Sequence, residues 1–555
     1  MSDLPHADGS RPVTGSGDFA RHALDSPAGG GVSQESPDPV TRPGPEAESG
    51  APERTPQHAS ADVVVVGGGV AGLVAALECA KVGLQVTLLE RRDELGGCVG
   101  RIELDGLTLD SGAESFATRG GAVAELLTTL GLEADVVDPN RAGAWLAMPG
   151  PDGRPTAAPL PKTGMLGIPA NPLGDDVRRI IGWRGAIRAY GDRLMPILRI
   201  GRAHSLGELV RTRMGTAVLD RLVTPISAGV YSADPDDLDV DVVAPGLNEA
   251  MTRAGSLSGG VGQLVEERRA GSAVRGLRGG MHRLVGALVA ELHRFDVTIV
   301  TAADVVDLER LRAAAADAPA DAGDALADAA DAPEWRVAAD TPDGGLSVDT
   351  RFVILAAPAQ TSRRLLGEAV DGWADVDDWP AAASVEIVTL VLDAPALDAA
   401  PRGTGVLVAG DTEGVAAKAL THSTAKWAWL AEDAAPRHVV RLSYGRAGTP
   451  NPLDGLTDDE VAGLALADAS ALLGVPIEQR MLRASGRTAW RDALSHASLG
   501  QHDRVRALEE ALAAEPTIEA TGSWIAGTGL ASVVPHAHDA AHRVRHRALH
   551  LDDIA

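Results

Sequence analysis

The chain has 555 residues, 45% of them hydrophobic and 23% charged, which is ordinary globular usage and enough material for about three or four domains. Fifty basic against 77 acidic side chains leave a formal net charge of −27, which opposes non-specific attraction to nucleic acid or to an anionic bilayer. The two cysteines, Cys79 and Cys98, form no CxxC and no zinc-site spacing, so neither a disulfide framework nor a structural metal is expected, and a reducing, cytoplasmic setting is.

Residues 1–60 hold nine Pro and eight Gly with almost no aromatic or branched apolar side chains, too little to offset chain ordering, and read as a disordered tail. The first ten residues lack the layout of a secretory signal and no apolar stretch reaches 18 residues, so neither export nor a transmembrane segment is expected. Order begins at Ala61. DVVVV (62–66) has the β-branched, apolar make-up of a buried parallel strand; GGGVAG (67–72) follows, helical spacing runs on to Gly83, and QVTLLE (85–90) reads as a second strand. Helical patterns fill 175–260, where Ser205 and Glu208 have capping-box spacing. Strand-like runs return at 297–300, 352–358, 384–392 and 438–445, and a Gly-rich turn with a helix closes the chain after 520. Residues 313–332, with twelve Ala and five Asp, read as a solvated insertion.

The strand–turn–helix at 62–83 is a nucleotide-binding pattern. Gly67 permits the tight turn, Gly69 leaves no Cβ between backbone and pyrophosphate, and Gly72 lets the helix approach the strand. The turn Gly67, Gly68, Gly69, Val70, Ala71 and Gly72 is thus the candidate phosphate cradle, with the helix N-terminus supplying N–H groups and a positive dipole end. Glu90, closing the second strand, is placed to accept hydrogen bonds from a ribose. The alternative is a βα turn that binds nothing.

The stretch ERRDELGGCVG (90–100), with Gly96 and Gly97, resembles the second glycine pair of FAD-dependent oxidoreductases of the amine oxidase and protoporphyrinogen oxidase superfamily. The resemblance implies FAD, with Arg91, Gly97 and Val297 among its binding residues. A basic residue usually follows the pair in that family; this chain has Cys98, read as a small residue in a tight turn, and Arg91, Arg92 and Arg101 are the candidate sources of the missing charge. LDSGAESFATRGG (109–121) is similar to the segment that passes the flavin, on which Gly112, Ala113, Glu114 and Ser115 fall. ATGSWIAGTGLASVVPHAHDAA (520–541) is similar to the closing flavin motif, with Gly527, Thr528, Gly529 and Leu530 leading into a helix. LPKTGMLGIPANP (160–172), 206–240, GLRGGMHRLVGAL (276–288), KWAWL (426–430) and 490–505 resemble bacterial protoporphyrinogen and coproporphyrinogen III oxidases in the same order, so the likeness spans about 61–545.

The resemblance implies an α/β fold: a Rossmann-like FAD-binding domain from 61–110, 276–365 and 505–555, a β-rich substrate domain from 111–174 and 366–504, and a helical subdomain at 175–275. It implies oxidation of a porphyrinogen in three two-electron steps, with O2 as acceptor and peroxide as product. The cofactor carries that chemistry, so no catalytic side chain is assigned, and the scattered histidines are read as solvated or structural. Arg119 falls where the family pairs an Arg with a substrate carboxylate, and Lys426 stands as a second cation beside two Trp. Coproporphyrinogen III is favoured over protoporphyrinogen IX; a flavin amine oxidase, a desaturase and a non-catalytic FAD-bound scaffold are the other readings. Transient contact with a ferrochelatase and peripheral membrane contact through 175–260 complete the expectations; no nucleic acid and no metal are among them.

Overall fold

A run of four valines, Val63 to Val66, is fully or almost fully buried, and the molecule is organised around it. The computed structural model describes residues 57–549 apart from 151–152, 163, 196–202, 268–273, 312–331, 371–372, 374–378, 380–383 and 492–496. Strand β1 (Gln57–Val66) pairs in parallel with β2 (Val86–Leu89), and β2 with β3 (Thr298–Val300). On the other side β1 pairs in parallel with a long strand, Gly344–Leu355. That strand also receives the hairpin Asp304–Arg310 and Trp335–Thr341 and, along Val353–Leu355, the parallel strand Ile518–Ala520.

The first strand begins at Gln57, four residues before the expected onset of order at Ala61. Gln57 to Ser60 are exposed, with no apolar pattern to reveal them, but the partner strand continues to Leu346 and offers ladder partners that far. Residues 1–56 lie outside the described residues, as does the expected insertion 313–332 except for Ala332. That insertion joins the two strands of a hairpin whose base is closed by a Leu311 N–H to Glu334 carbonyl bond of 2.8 Å.

Helix α1 (Val70–Ala80) is buried along its whole length, which explains why it is built of small residues: Ala71, Gly72, Ala75, Ala76, Cys79 and Ala80 let the sheet and two further helices approach from all sides. Those helices are α2 (His282–Arg294) and α3 (Leu530–Ala548).

A second sheet has the strand order 482–490, 385–392, 438–444, 419–422, 405–408, 144–149, 155–159, antiparallel except where 405–408 runs parallel to 144–149. One of its faces packs on the helix Asp458–Leu473 around Leu390, Leu442, Tyr444 and Leu466. Helices fill the described residues between 175 and 267 around their own apolar cluster, among them Leu206, Val210, Leu222 and Leu247. Ser205 caps the helix Leu206–Met214, accepting the Glu208 N–H at 3.1 Å, and the buried Arg213–Asp192 pair (2.7 Å) ties the end of that helix to the short turn Gly191–Leu194. Among the described residues no helix is long and apolar enough to cross a membrane, and no cluster of three or more His, Cys, Asp or Glu suits a metal ion.

Candidate functional site

The three glycine roles are visible as distances. A methyl group on Gly67 would meet the Ala356 carbonyl oxygen at 2.7 Å, and one on Gly72 would come within 1.9 Å of the Gly67 carbonyl oxygen. On Gly69 it would find nothing nearer than the Gly97 Cα at 4.0 Å, so the space there is free for a ligand. Helix α1 starts at Gly69 without a side-chain cap, leaving its first N–H groups for an anion. Gly68 donates its N–H to Glu90 Oε2 (2.6 Å) and Arg92 its N–H to Glu90 Oε1 (2.9 Å), which fixes the carboxylate while each oxygen keeps a lone pair for a ribose hydroxyl. The second glycine pair is fastened to the first: the Gly96 N–H reaches the Gly68 carbonyl at 2.8 Å.

The cradle continues through two further turns. A methyl on Gly112 would lie 2.1 Å from the Cys98 carbonyl oxygen, which instead accepts the Ala113 N–H at 2.8 Å. Before α3, Gly527 and Gly529 hold φ values of +94° and +96° that favour glycine, with open space around both, and α3 also begins without a side-chain cap. The arrangement fits an extended dinucleotide such as FAD: two uncapped helix N-termini, an anchored carboxylate, and glycines whose missing side chains leave room. Arg91 is exposed. Val297 is buried in the turn between α2 and β3 and gives its N–H to the Leu292 carbonyl.

Glu114 sits in a buried knot of charge. Its carboxylate receives Lys426 Nζ (2.5 Å), Arg441 Nη1 (3.1 Å) and the Ser423 hydroxyl (3.1 Å), and Arg441 Nη2 also reaches the Gly112 carbonyl (2.5 Å). Burial alone would raise the Glu114 carboxyl; the two cations outweigh it and hold the group down at about 2. Lys426, expected as a substrate cation, is thus placed on Glu114, with its ammonium 5.0 Å from the Trp427 ring centre.

Arg119 is exposed and donates from Nη2 to the Ser532 hydroxyl (2.9 Å) in the first turn of α3. It lines a cavity of about 230 Å³ together with Phe116, Val123, Val136 and a second arginine, Arg275. Lys426 does not line this cavity. Three of the histidines are paired elsewhere: His282 with Asp110 (2.9 Å), and His422 with His438 (3.3 Å), burial first and then His438 pushing His422 down to about 4. His496 lies outside the described residues. Sequence reasoning passed over Arg441, Ser423 and Arg275. Arg441 had a signal, a lone charge in the apolar strand run HVVRLSY; the other two had none, since only the tertiary fold brings them to this place.

The flavin containing amine oxidoreductase family model matches residues 70–545. The chain is 30% identical over 482 residues to the coproporphyrinogen III oxidase of Mycobacterium tuberculosis (strain ATCC 25618 / H37Rv), covering 85% of this chain and 94% of that one. It is 28% identical over 548 residues to that of Propionibacterium freudenreichii subsp. freudenreichii, covering 92% and 96%. Among solved structures, a chain from Exiguobacterium sp. 255-15 with a protoporphyrinogen oxidase designation superposes with a TM-score of 0.70 at 24% identity, over 88% of this chain and 99% of that one. Wild-type putrescine oxidase superposes at 0.56 and 17% identity, over 89% and 100%. These likenesses in structure establish the shared fold.

Proposed function

The chain belongs to the flavin containing amine oxidoreductase family, and on that premise we propose that it oxidises coproporphyrinogen III to coproporphyrin III. Three O2 are the terminal acceptors; six electrons and six protons leave the porphyrinogen and three H2O2 form. The observation carrying this reading is that the likeness to coproporphyrinogen III oxidases is not confined to the cradle but extends over 92% of this chain for the Propionibacterium freudenreichii subsp. freudenreichii relative. FAD, when bound, supplies the two-electron acceptor.

The protein's own task is binding and orientation. Porphyrinogens carry propionates, and a chain of net charge −27 must gather local positive charge to hold them. Arg119 and Arg275 bring two cations to one cavity, which Glu133 also lines and where Arg275 is paired with Asp138 (3.0 Å), and Phe116, Val123 and Val136 offer an apolar wall to the macrocycle. Ser532 holds the Arg119 fork beside the start of α3, so a propionate on Arg119 is anchored next to the cofactor-facing helix end. The Glu114 knot keeps the Gly112–Ser115 turn from moving against the second sheet.

The reading places the enzyme in the cytoplasm. A peripheral membrane contact is supported by Trp183, Ile187, Tyr190 and Leu194, apolar, spaced as one helical stripe, and exposed by 61%, 63%, 39% and 81%. Flotation with zwitterionic vesicles tests it, and failure of the wild-type chain to float rejects it.

The function is tested by supplying purified protein, under air, with coproporphyrinogen III or protoporphyrinogen IX and following porphyrin fluorescence and peroxide. Faster turnover of coproporphyrinogen, with about three peroxides per porphyrin, is expected. Exclusive turnover of protoporphyrinogen overturns the substrate assignment, and oxidation without flavin reduction overturns the mechanism.

A further inference from the structure

Strand 482–490 ends on Trp490, which stays paired with Val385 in the second sheet while its ring lodges against the cofactor turns. Its ring lies so close to the backbone that a methyl on Gly112 would stand 3.1 Å from Cζ2 and one on Gly100 3.6 Å from Cη2. The residue is 8% exposed, yet its indole Nε1–H, next to that Cζ2 edge, has no acceptor among the described residues. An orphaned buried donor costs stability unless something absent from the protein accepts it.

On the same ring lies Arg92. Its guanidinium carbon is 5.1 Å from the Trp490 ring centre and its Nε 3.8 Å from Glu90 Oε1, too long for a hydrogen bond. The side chain is 42% exposed, so it is open to a ligand, and its charge is felt at Cys98 on the second glycine turn. Two side-chain donors that make no hydrogen bond among the described residues, one buried and neutral, one open, charged and loosely paired with Glu90, are therefore held together between Glu90, the Gly96–Gly97 turn and Gly112. The uncapped start of α1 faces Gly97 across the same cradle. The uncapped N–H groups of α1, the Trp490 indole N–H and the Arg92 guanidinium are donors or positive charge, which is the chemistry that accepts phosphate oxygens.

We propose that Arg92 and Trp490 form a composite clamp on the diphosphate stretch of the dinucleotide, Arg92 taking a phosphate oxygen and Trp490 Nε1 an oxygen of the same linker. The stacking fixes Arg92 where Glu90 by itself would draw it toward the ribose side. Trp490 is in this view a cofactor ligand delivered by the second sheet, so cofactor binding and the docking of that sheet onto the cradle are coupled. The proposal rests on FAD occupying the cradle.

The test uses the full-length holoprotein and reads cofactor release, not turnover. Dilution series followed by flavin fluorescence at low and high salt give the FAD dissociation constant, and circular dichroism melting in excess FAD gives stability. Arg92→Gln is expected to weaken FAD about tenfold, the size of one charge-assisted hydrogen bond, and to flatten the salt dependence. Arg92→Lys restores part of both. Trp490→Phe keeps the packing and the stacked ring but removes the donor, and is expected to weaken FAD severalfold with little change in melting. An unchanged dissociation constant and salt slope in Arg92→Gln overturns the clamp; a Trp490→Phe variant that melts earlier at unchanged affinity assigns Trp490 to packing and overturns its part. A wild-type protein that purifies without FAD and takes up none overturns the FAD reading itself, a distinct result.

Discussion

The glycine cradle and the Glu114 knot touch, yet they are built by opposite means. In the cradle, backbone and empty space do the work: Gly67, Gly69 and Gly72 are defined by what a Cβ would strike, and Glu90 is held by two backbone N–H groups. In the knot, three charged side chains from 114, 426 and 441 hold one another, and no backbone shape singles them out. The first is a steric device read along one stretch of chain, 62–90; the second is electrostatic and exists only when distant segments meet. The two should therefore fail differently when perturbed.

The largest effect is expected at Gly72. Gly72→Val places Cβ at 1.9 Å from an immovable carbonyl, so little folded protein should be recovered, whereas Gly69→Ala, with 4.0 Å of clearance, should fold with a near-native melting temperature and lose FAD. Equal melting of both variants without added FAD would erase the distinction between a packing glycine and a ligand-facing one.

Next comes Glu114→Gln, which leaves Lys426 and Arg441 buried without their counter-ion and should cost roughly 3–5 kcal/mol in urea unfolding. The knot also predicts a pH signature that the cradle lacks. The Glu114 carboxyl is held at about 2 against an ordinary 4.5, so its contribution is present above pH 4.5 and disappears as pH falls from 4.5 toward 2. Unfolding free energy measured across that window should slope less steeply in Glu114→Gln than in wild type; parallel curves would mean that the carboxylate is not what the two cations stabilise.

Smaller still is Arg119→Ala. Losing one charge-assisted contact of about 1.5–3 kcal/mol should lower kcat/KM for coproporphyrinogen roughly ten- to a hundredfold with FAD content intact, and Lys at 119 should recover part of it. Unchanged kcat/KM at subsaturating substrate would remove Arg119 from the site and leave the cavity beside it without an anion-binding role.

Much of the cradle was legible from residues 62–90 because its parts are neighbours in the chain and each answers a local demand: β-branched valines for a buried strand, glycines for close approach, a helix start without a cap. The Gly112–Ser115 turn was expected to be a cofactor segment by resemblance, but that Glu114 points its charge at Lys426 and Arg441 was not legible. Nor was the start of β1 at Gln57, since an exposed strand end held only by its ladder carries no apolar pattern. Lys426 shows the limit plainly. Beside Trp427 in sequence it reads as an open cation, and only the register of the strand carrying Arg441 beside the strand ending at His422 brings both cations onto Glu114.

By itself, then, the sequence determined the elements whose causes are local: the strand–turn–helix, the capped helix at Ser205, the closing turn before α3. Tertiary structure alone decided which charges are satisfied and which face a ligand. The reason is physical: sterics and backbone geometry act between residues a few positions apart, whereas the worth of a charge or an indole N–H depends on burial and on partners hundreds of positions away, such as Glu114 for Arg441 or the Gly112 turn for Trp490.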